Sequence, residues 1–204
     1  MRPIVLEIAG SPLEAVVADL AVVPVFAEDR PLPGAAGRAD WRLCGALSRL
    51  YAAGHLSGTS GEAALVPSGG GIAAPCVMAL GLGSRAEFGD AALARFTVEA
   101  VHRAAKLRAS NLALGWPERI AVPGELQVEA LLSGLDRASA SSEGVARVWL
   151  CASASEAAVL AQALRRRELP RGVVLGAPLA AADPSSPIRP ASPGIASIAR
   201  IRFK

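Results

Sequence analysis

The residues that could carry chemistry are concentrated in a glycine-containing loop, GLGSRA, at positions 81–86. A G-x-G-x-x-A pattern between a strand and a helix can bring backbone amides against a pyrophosphate. Here the next helix is predicted to begin only at Asp90, and the first acid after the following strand, Glu118, lies far beyond the loop. We therefore favour a tight turn at the end of the strand over a dinucleotide site. Gly81, Gly83 and Ser84 remain candidate ligand residues.

Two further segments offer weaker binding signals. Gly69, Gly70 and Gly71 could form an amide nest for an anion, although a turn between two strands explains them better.

A basic cluster, Arg165–Arg167 with Arg171, is a candidate contact for nucleic acid. No aromatic residues interleave with these arginines, and cations at a helix end favour the helix dipole, so the structural role is sufficient.

Metal-binding and nucleophile motifs are missing from the sequence. The two histidines, His55 and His102, belong to no H-E-x-x-H, and the cysteines form no C-x-x-C. Glu99 and His102 make a single E-x-x-H step, whereas a dimetal site needs several such ligands from facing helices. The sequence contains no G-x-S-x-G and no phosphate-binding G-x-x-x-x-G-K-[ST]. We expect no catalytic residue, metal or cofactor in this chain.

The elements that must position these residues alternate between strands and helices. Hydrophobic runs predict strands at 4–9 (an edge strand), 18–26, 61–67, 72–82, 111–116 and 145–152. The helical period predicts helices from Asp40 to Gly54 with Asp40 as N-cap, from Asp90, and over 125–139. A fourth helix follows the Ser153/Glu156 capping box and is expected to end at Pro170. This order predicts an α/β fold: a mixed, mostly parallel sheet with helices on both faces.

Composition indicates one domain followed by a tail. The 204 residues, 52% of them hydrophobic, can bury a full core, and we assign residues 1–169 to the domain. Residues 170–204 contain six prolines and one acid, which is typical of a linker or tail, with an edge-strand extension as the alternative. The net charge of +3 is too small to indicate nucleic acid by itself.

The expected environment is the cytoplasm. The longest uncharged stretch, 63–84, contains two prolines and five glycines, which suits two strands better than a membrane helix. No secretory signal is visible at the N-terminus. The three cysteines, Cys44, Cys76 and Cys151, each fall in an apolar run and are expected to be reduced thiols in the core.

Four segments in a fixed order resemble one family. They are ADLAVVPVF at 18–26, GALS at 45–48, SGE at 60–62 and VMALGLG at 77–83. This set is similar to the N-terminal, macro-like domain of the leucyl aminopeptidases of peptidase family M17, over about residues 5–168. The resemblance implies a three-layer macro-domain-like fold. It also accounts for the glycines at 81 and 83 without a nucleotide.

The family's chemistry is not carried over to any residue here. Its two divalent metals and catalytic groups belong to a C-terminal domain, and the signature N-T-D-A-E-G-R is absent from the printed sequence. The resemblance implies a non-catalytic interaction, oligomerisation or regulatory module, associating with itself or with an aminopeptidase catalytic domain. In hexameric relatives this domain lies outside the catalytic core, and in some it contributes to DNA binding.

Two alternatives stay open: a module for a nucleotide or ADP-ribose-like ligand, and a DNA-associating domain. Macro domains that bind ADP-ribose use an asparagine after the second strand and a glycine-rich loop. The corresponding strand end, Pro24–Phe26, has no asparagine, and the segment Cys44–Leu47 keeps only Gly45.

Overall fold

A seven-stranded mixed sheet forms the centre of the molecule. The structure, a computed structural model, describes residues 3–141 and 144–176. The strands cross the sheet in the order β3-β4-β2-β5-β6-β1-β7, and every neighbouring pair is parallel except the β3–β4 hairpin. Their bounds are β1 Ile4–Ile8, β2 Leu20–Val25, β3 Ala63–Pro67, β4 Cys76–Gly81, β5 Asn111–Gly115, β6 Arg147–Cys151 and β7 Val173–Leu175. The predicted α/β class with a mostly parallel sheet is confirmed.

Helices cover the sheet on both sides and complete a three-layer arrangement. They are α1 Gly34–Arg42, α2 Ala46–Ala52, α3 Asp90–Lys106, α4 Gly124–Ser141 and α5 Ala154–Leu164. The first core cluster joins α3, α4 and α5 to one face of the sheet, and the second joins α1 and α2 to the other. Helices therefore cover both faces of the central strands, which explains why β2 is apolar and buried at all six positions.

The first predicted helix is two helices, so the expected single span from Asp40 to Gly54 is wrong. Cys44 and Gly45 adopt positive φ values of 52° and 79°, which break the helical path between α1 and α2. Asp40 lies inside α1 and is not its N-cap. Its carboxylate instead accepts hydrogen bonds from the backbone amides of Leu47 (2.8 Å) and Ser48 (3.2 Å). Asp40 thus caps the first turn of α2 from a distance.

The later helices follow the sequence pattern closely. α3 begins at Asp90, as predicted, and α5 opens with the capping box in which the Ser153 hydroxyl and the Glu156 carboxylate satisfy each other's amides. The end of α5 differs from the prediction, because the helix stops at Leu164 and not at Pro170. The amides of Arg166 and Arg167 donate to carbonyls only three residues back, and these tighter turns end the α-helical ladder.

The first strand is not an edge strand. β1 pairs with β6 on one side and with β7 on the other, and Ile4 and Leu6 are fully buried. β7 lies in the segment 170–204 that the sequence set apart as linker or edge-strand extension. The remainder of that segment, 177–204, lies outside the described residues.

Candidate functional site

The six parallel strands end at one edge of the sheet, and the connections after β2 and β5 diverge there. The chain leaves β2 toward β3 and β4 on one side, whereas it leaves β5 toward β6 on the other. Open α/β sheets bind ligands at such a topological switch point. We call the space between these two strand ends the switch-point crevice; its walls include Phe26, Asp29, Gly34, Arg85, Trp116 and Glu118.

Arg85 fills the switch-point crevice. Its Nε and Nη2 lie 2.9 and 2.8 Å from Oδ1 of Asp29, whose side chain is only 7% exposed. Its guanidinium carbon lies 4.0 Å from the centroid of the Phe26 ring, and Nη1 donates to the carbonyl of Glu118 (3.1 Å). One side chain therefore joins the loops that follow β2, β4 and β5.

Glu118 closes the same crevice from the other wall. Its carboxylate packs so closely on Gly34, the first residue of α1, that a Cβ at position 34 would lie 2.5 Å from it. The remaining cavity is about 10 Å³, which leaves room for no more than about one water molecule. The geometry is that of a filled crevice with a partly buried ion pair.

Ser84, a predicted ligand residue, lies at this edge but is already bonded. Its hydroxyl donates to Glu28 Oε1 (2.7 Å), and the amide of Arg85 donates to Glu28 Oε2 (3.2 Å). These hydrogen bonds, that from Ser84 foremost, lower the pKa of Glu28 below its usual value because they favour the charged carboxylate. The Glu28–Ser84 contact ties the β2 loop to the β4 loop.

The glycines of the same loop also use their amides within the protein. The Gly81 amide donates to the Glu62 carbonyl (2.7 Å), and the Gly83 amide donates to the Gly58 carbonyl (2.8 Å). A pyrophosphate nest needs amides that point at the ligand. These two point at the segment that precedes β3.

Gly69–Gly71 lie far from Gly81 and Gly83. They belong to the turn between β3 and β4, at the opposite end of β4 from Gly81. Six strand residues separate the two ends by about 20 Å. The structure therefore does not bring the two glycine groups into one site.

The arginine cluster lies at the end of α5. Arg165 is the C-cap, and Arg167 Nη2 lies 3.3 Å from Glu129 Oε2 on α4. Because α5 runs back along the sheet from β6, its end lies at the sheet edge opposite the switch-point crevice. Arg165, Arg166, Arg167 and Arg171 are all exposed.

A second concave surface, which the sequence reasoning missed, lies beside α1. Trp41 is 84% exposed, far more than any other large aromatic side chain among the described residues. It borders an open, mostly apolar cavity of about 510 Å³. We call this surface the Trp41 groove; its lining includes Pro31, Leu32, Gly37, Trp41, Cys44 and Gly45.

The sequence contains a signal for this surface. In α1 the buried residues Ala35, Ala36 and Ala39 form one face, and Trp41 lies on the other beside Gly37 and Arg38. A tryptophan on the helix face that carries small and charged residues points away from the core and cannot pack into it. Such a residue indicates a contact surface, since exposed aromatic groups are enriched at interfaces.

The three cysteines occupy three different environments, so the expectation of three core thiols is wrong for Cys44. Cys44 is exposed and lies between α1 and α2, whereas Cys76 is half-buried. Cys151 is buried, and burial raises its pKa to about 12. Burial raises the pKa of the Cys76 thiol as well.

Within residues 3–141 and 144–176 no three His, Cys, Asp or Glu side chains converge on a possible metal position. Glu99 pairs with Arg103 (3.1 Å), and Nε2 of His102 lies 2.8 Å from the Ser141 hydroxyl, so the E-x-x-H step forms no ligand pair. In the same part of the chain, no helix has both the length and the apolar character needed to cross a bilayer.

Comparison with protein families decides the relationship. Residues 22–144, more than half of the chain, match the N-terminal domain of the cytosol aminopeptidase family. The chain belongs to this family. The match confirms the resemblance drawn from the sequence motifs. No curated protein sequence matches the chain.

Solved structures show the same fold at low sequence identity. A tomato leucine aminopeptidase mutant superposes with a TM-score of 0.59 at 15% identity, covering 80% of this chain and 36% of the enzyme. The chain thus spans about a third of that relative. The macro domain of ganglioside induced differentiation associated protein 2 gives 0.62 at 15% identity, covering 79% and 82%. A Trypanosoma brucei macrodomain, solved in complex with ADP, gives 0.59 at 14%, covering 80% and 69%. This cytosol aminopeptidase family member therefore has a macro-like fold.

Proposed function

We propose that this member of the cytosol aminopeptidase family is a protein-interaction domain that associates with a second copy of itself through the Trp41 groove. The observation that carries the proposal is the 84% exposure of Trp41 beside an apolar cavity of about 510 Å³. A buried aromatic anchor in an apolar pocket is the usual centre of a protein interface. Removing this tryptophan from water gives association its main driving force.

A second copy fits because the exposed Trp41 side chain and the groove lie side by side on the same surface. A two-fold axis beside α1 places Trp41 of each copy against the groove of the other, which is the self-complementary arrangement of a symmetric dimer. Exposed Arg42 and Arg49 flank the surface. They become rim charges of like sign in the dimer, and arginine is enriched at interfaces relative to the rest of the protein surface.

The chain is proposed to act without hydrolytic chemistry of its own, in the cytoplasm. Hydrolysis by metal activation of water needs convergent ligands, and the part of the chain described by the structure lacks such a cluster. In the switch-point crevice, where this fold class places ligands, the Arg85–Asp29 pair leaves a cavity of only about 10 Å³. Both observations support a surface role over a pocket role. The family's description as cytosolic supports the location.

Sedimentation velocity over a range of protein and salt concentrations tests the proposal. We expect a monomer–dimer equilibrium that salt strengthens, because screening reduces repulsion between the rim arginines. A monomer at every concentration contradicts self-association.

A hydrolysis assay tests the absence of chemistry. We expect the purified chain to leave leucine amide intact with added Mn²⁺ or Zn²⁺. Metal-dependent turnover by pure protein contradicts the proposal. If the chain binds an isolated aminopeptidase catalytic domain more tightly than itself, the partner is that domain and the self-association proposal is wrong.

The nucleotide and DNA alternatives have less support. The Trypanosoma brucei macrodomain was solved in complex with ADP, whereas in this chain Arg85 occupies the switch-point crevice. A thermal-shift panel of ADP, ADP-ribose and NAD checks this, since a ligand at about 100 times its dissociation constant stabilises a protein by about 2.7 kcal/mol. We expect no shift, and no salt-sensitive retention of duplex DNA by Arg165–Arg167.

A further inference from the structure

A cleft lies between α3 and the loop before β3, on the far side of β4 from the switch-point crevice. Its volume is about 200 Å³, below the range of about 300–1,000 Å³ that suits drug-sized ligands. The floor is apolar and consists of Leu80, Leu82 and Phe96, all buried. The rim is polar and includes Ser60, Arg95, Glu99 and Arg103. We call this space the α3 cleft.

The charges on the rim sum to one positive charge. Arg103 donates to Glu99 (3.1 Å) and to the carbonyl of Gly61 (2.8 Å), so it is held against the wall. Arg95 is exposed, and its Nη2 makes a long contact of 3.5 Å with the Ser60 hydroxyl. With Glu99 neutralised by Arg103, the guanidinium of Arg95 is the charge that an incoming group meets.

The walls of the α3 cleft are fixed in place before any ligand enters. One oxygen of Glu62 accepts hydrogen bonds from the Ser57 amide (2.8 Å), the Ser57 hydroxyl (2.9 Å) and the Gly58 amide (2.9 Å). The Gly61 amide donates to the Gly81 carbonyl (3.0 Å), which fastens the loop to β4. A preformed site avoids the entropy cost of ordering its walls on binding.

We propose that the α3 cleft binds a small monocarboxylate with an apolar body, the carboxylate on Arg95 and the body on Leu80, Leu82 and Phe96. A guanidinium pairs with a carboxylate in a planar, charge-assisted contact. A phosphate monoester carries about −1.5 to −2 charges at neutral pH and needs more than one net positive charge.

An amide chemical-shift titration of the full chain tests the site. The probes are 4-methylpentanoate, its neutral isostere 4-methylpentanamide, acetate and L-leucine. We expect 4-methylpentanoate to shift the amides of Ser60, Gly61 and Phe96 in a saturable way. The neutral amide and acetate should bind at least about tenfold more weakly, because one lacks the charge and the other lacks the apolar body. L-leucine should bind more weakly than 4-methylpentanoate, because its ammonium group adds a positive charge beside Arg95 while Glu99 is paired with Arg103; tighter binding of leucine contradicts the assignment to a simple monocarboxylate.

Two variants and one control separate binding from folding. Arg95→Gln should weaken 4-methylpentanoate at least about tenfold. Ala92→Leu should block it by filling the cleft while Arg95 remains. Lys106→Gln removes one exposed positive charge from the same helix outside the cleft, and should bind as the parent does. Equal binding of acid and amide, full binding by Arg95→Gln, or no saturable shift overturns the proposal.

Discussion

The Arg85–Asp29 pair offers a direct test of how the switch-point crevice is closed. Replacing Arg85 with Gln removes the cation and leaves the Asp29 carboxylate, 7% exposed, facing an uncharged side chain. Breaking a buried ion pair by removing one partner costs about 3–5 kcal/mol. Here the cost is reduced, because the Arg85 side chain is 29% exposed and Asp29 keeps the Phe26 amide (3.2 Å). We expect a loss of about 2–3 kcal/mol in the free energy of unfolding.

The assay is urea denaturation, with thermal melting as a second readout. For a chain of this size about 2–4 °C of melting temperature corresponds to each kcal/mol, so we expect Arg85→Gln to melt about 4–12 °C lower. Arg137→Gln is the matched control, because it removes an exposed arginine from α4; surface substitutions of this kind change stability by about 0.5 kcal/mol or less.

A double-mutant cycle assigns the loss to the pair. With Asp29→Asn as the second substitution, we expect a coupling energy of at least about 1 kcal/mol between positions 29 and 85. If Arg85→Gln is as stable as Arg137→Gln, or if the two substitutions add without coupling, the reasoning about the filled crevice is wrong.

Three further outcomes follow from single contacts. Asp40→Ala should lower the free energy of unfolding, measured by urea denaturation, by about 1–2 kcal/mol, because α2 loses its distant cap. Asp40→Asn should retain part of this stabilisation. Equal stability of Asp40→Ala and the parent refutes the capping role. Ser153→Ala should cost about 1 kcal/mol by breaking the α5 capping box, and no measurable loss argues against it. Cys44 should react with a thiol reagent near neutral pH before Cys76, and Cys151 should react only on unfolding, because its pKa of about 12 keeps it protonated; mass spectrometry showing early Cys151 modification contradicts its burial.

The order of strands and helices was predictable because each element carries its own pattern. The apolar run of β2 reflects burial on both faces, and the Ser153/Glu156 box marks the start of α5. Both depend on neighbours close in sequence. The split between α1 and α2 was not predictable from the periodic Leu43, Leu47 and Leu50, since the break depends on positive φ values at Cys44 and Gly45.

The candidate site was predicted less well, because it depends on contacts between distant segments. Arg85 follows β4 but binds Asp29 after β2 and Glu118 after β5, pairings that only the strand order β4-β2-β5 brings about. The glycines at 81 and 83 are at the predicted edge, yet their amides pair with residues near 58–62. The glycines indicated where the chain turns, whereas the strand order of the sheet determined which residues the loop contacts.

The most direct test of the interaction proposal is the dimer dissociation constant of Trp41→Ala, measured by sedimentation equilibrium. The control is Leu126→Ala, because Leu126 is an apolar residue on α4 that is 41% exposed. An interface tryptophan contributes at least about 2 kcal/mol per copy, so its loss from both copies should raise the constant roughly a thousandfold. At protein concentrations where the parent is itself monomeric, the melting temperature of Trp41→Ala should equal that of the parent, because the side chain is exposed in the monomer. We expect Trp41→Ala to be monomeric and Leu126→Ala to be dimeric; equal association of the two variants contradicts the interaction proposal.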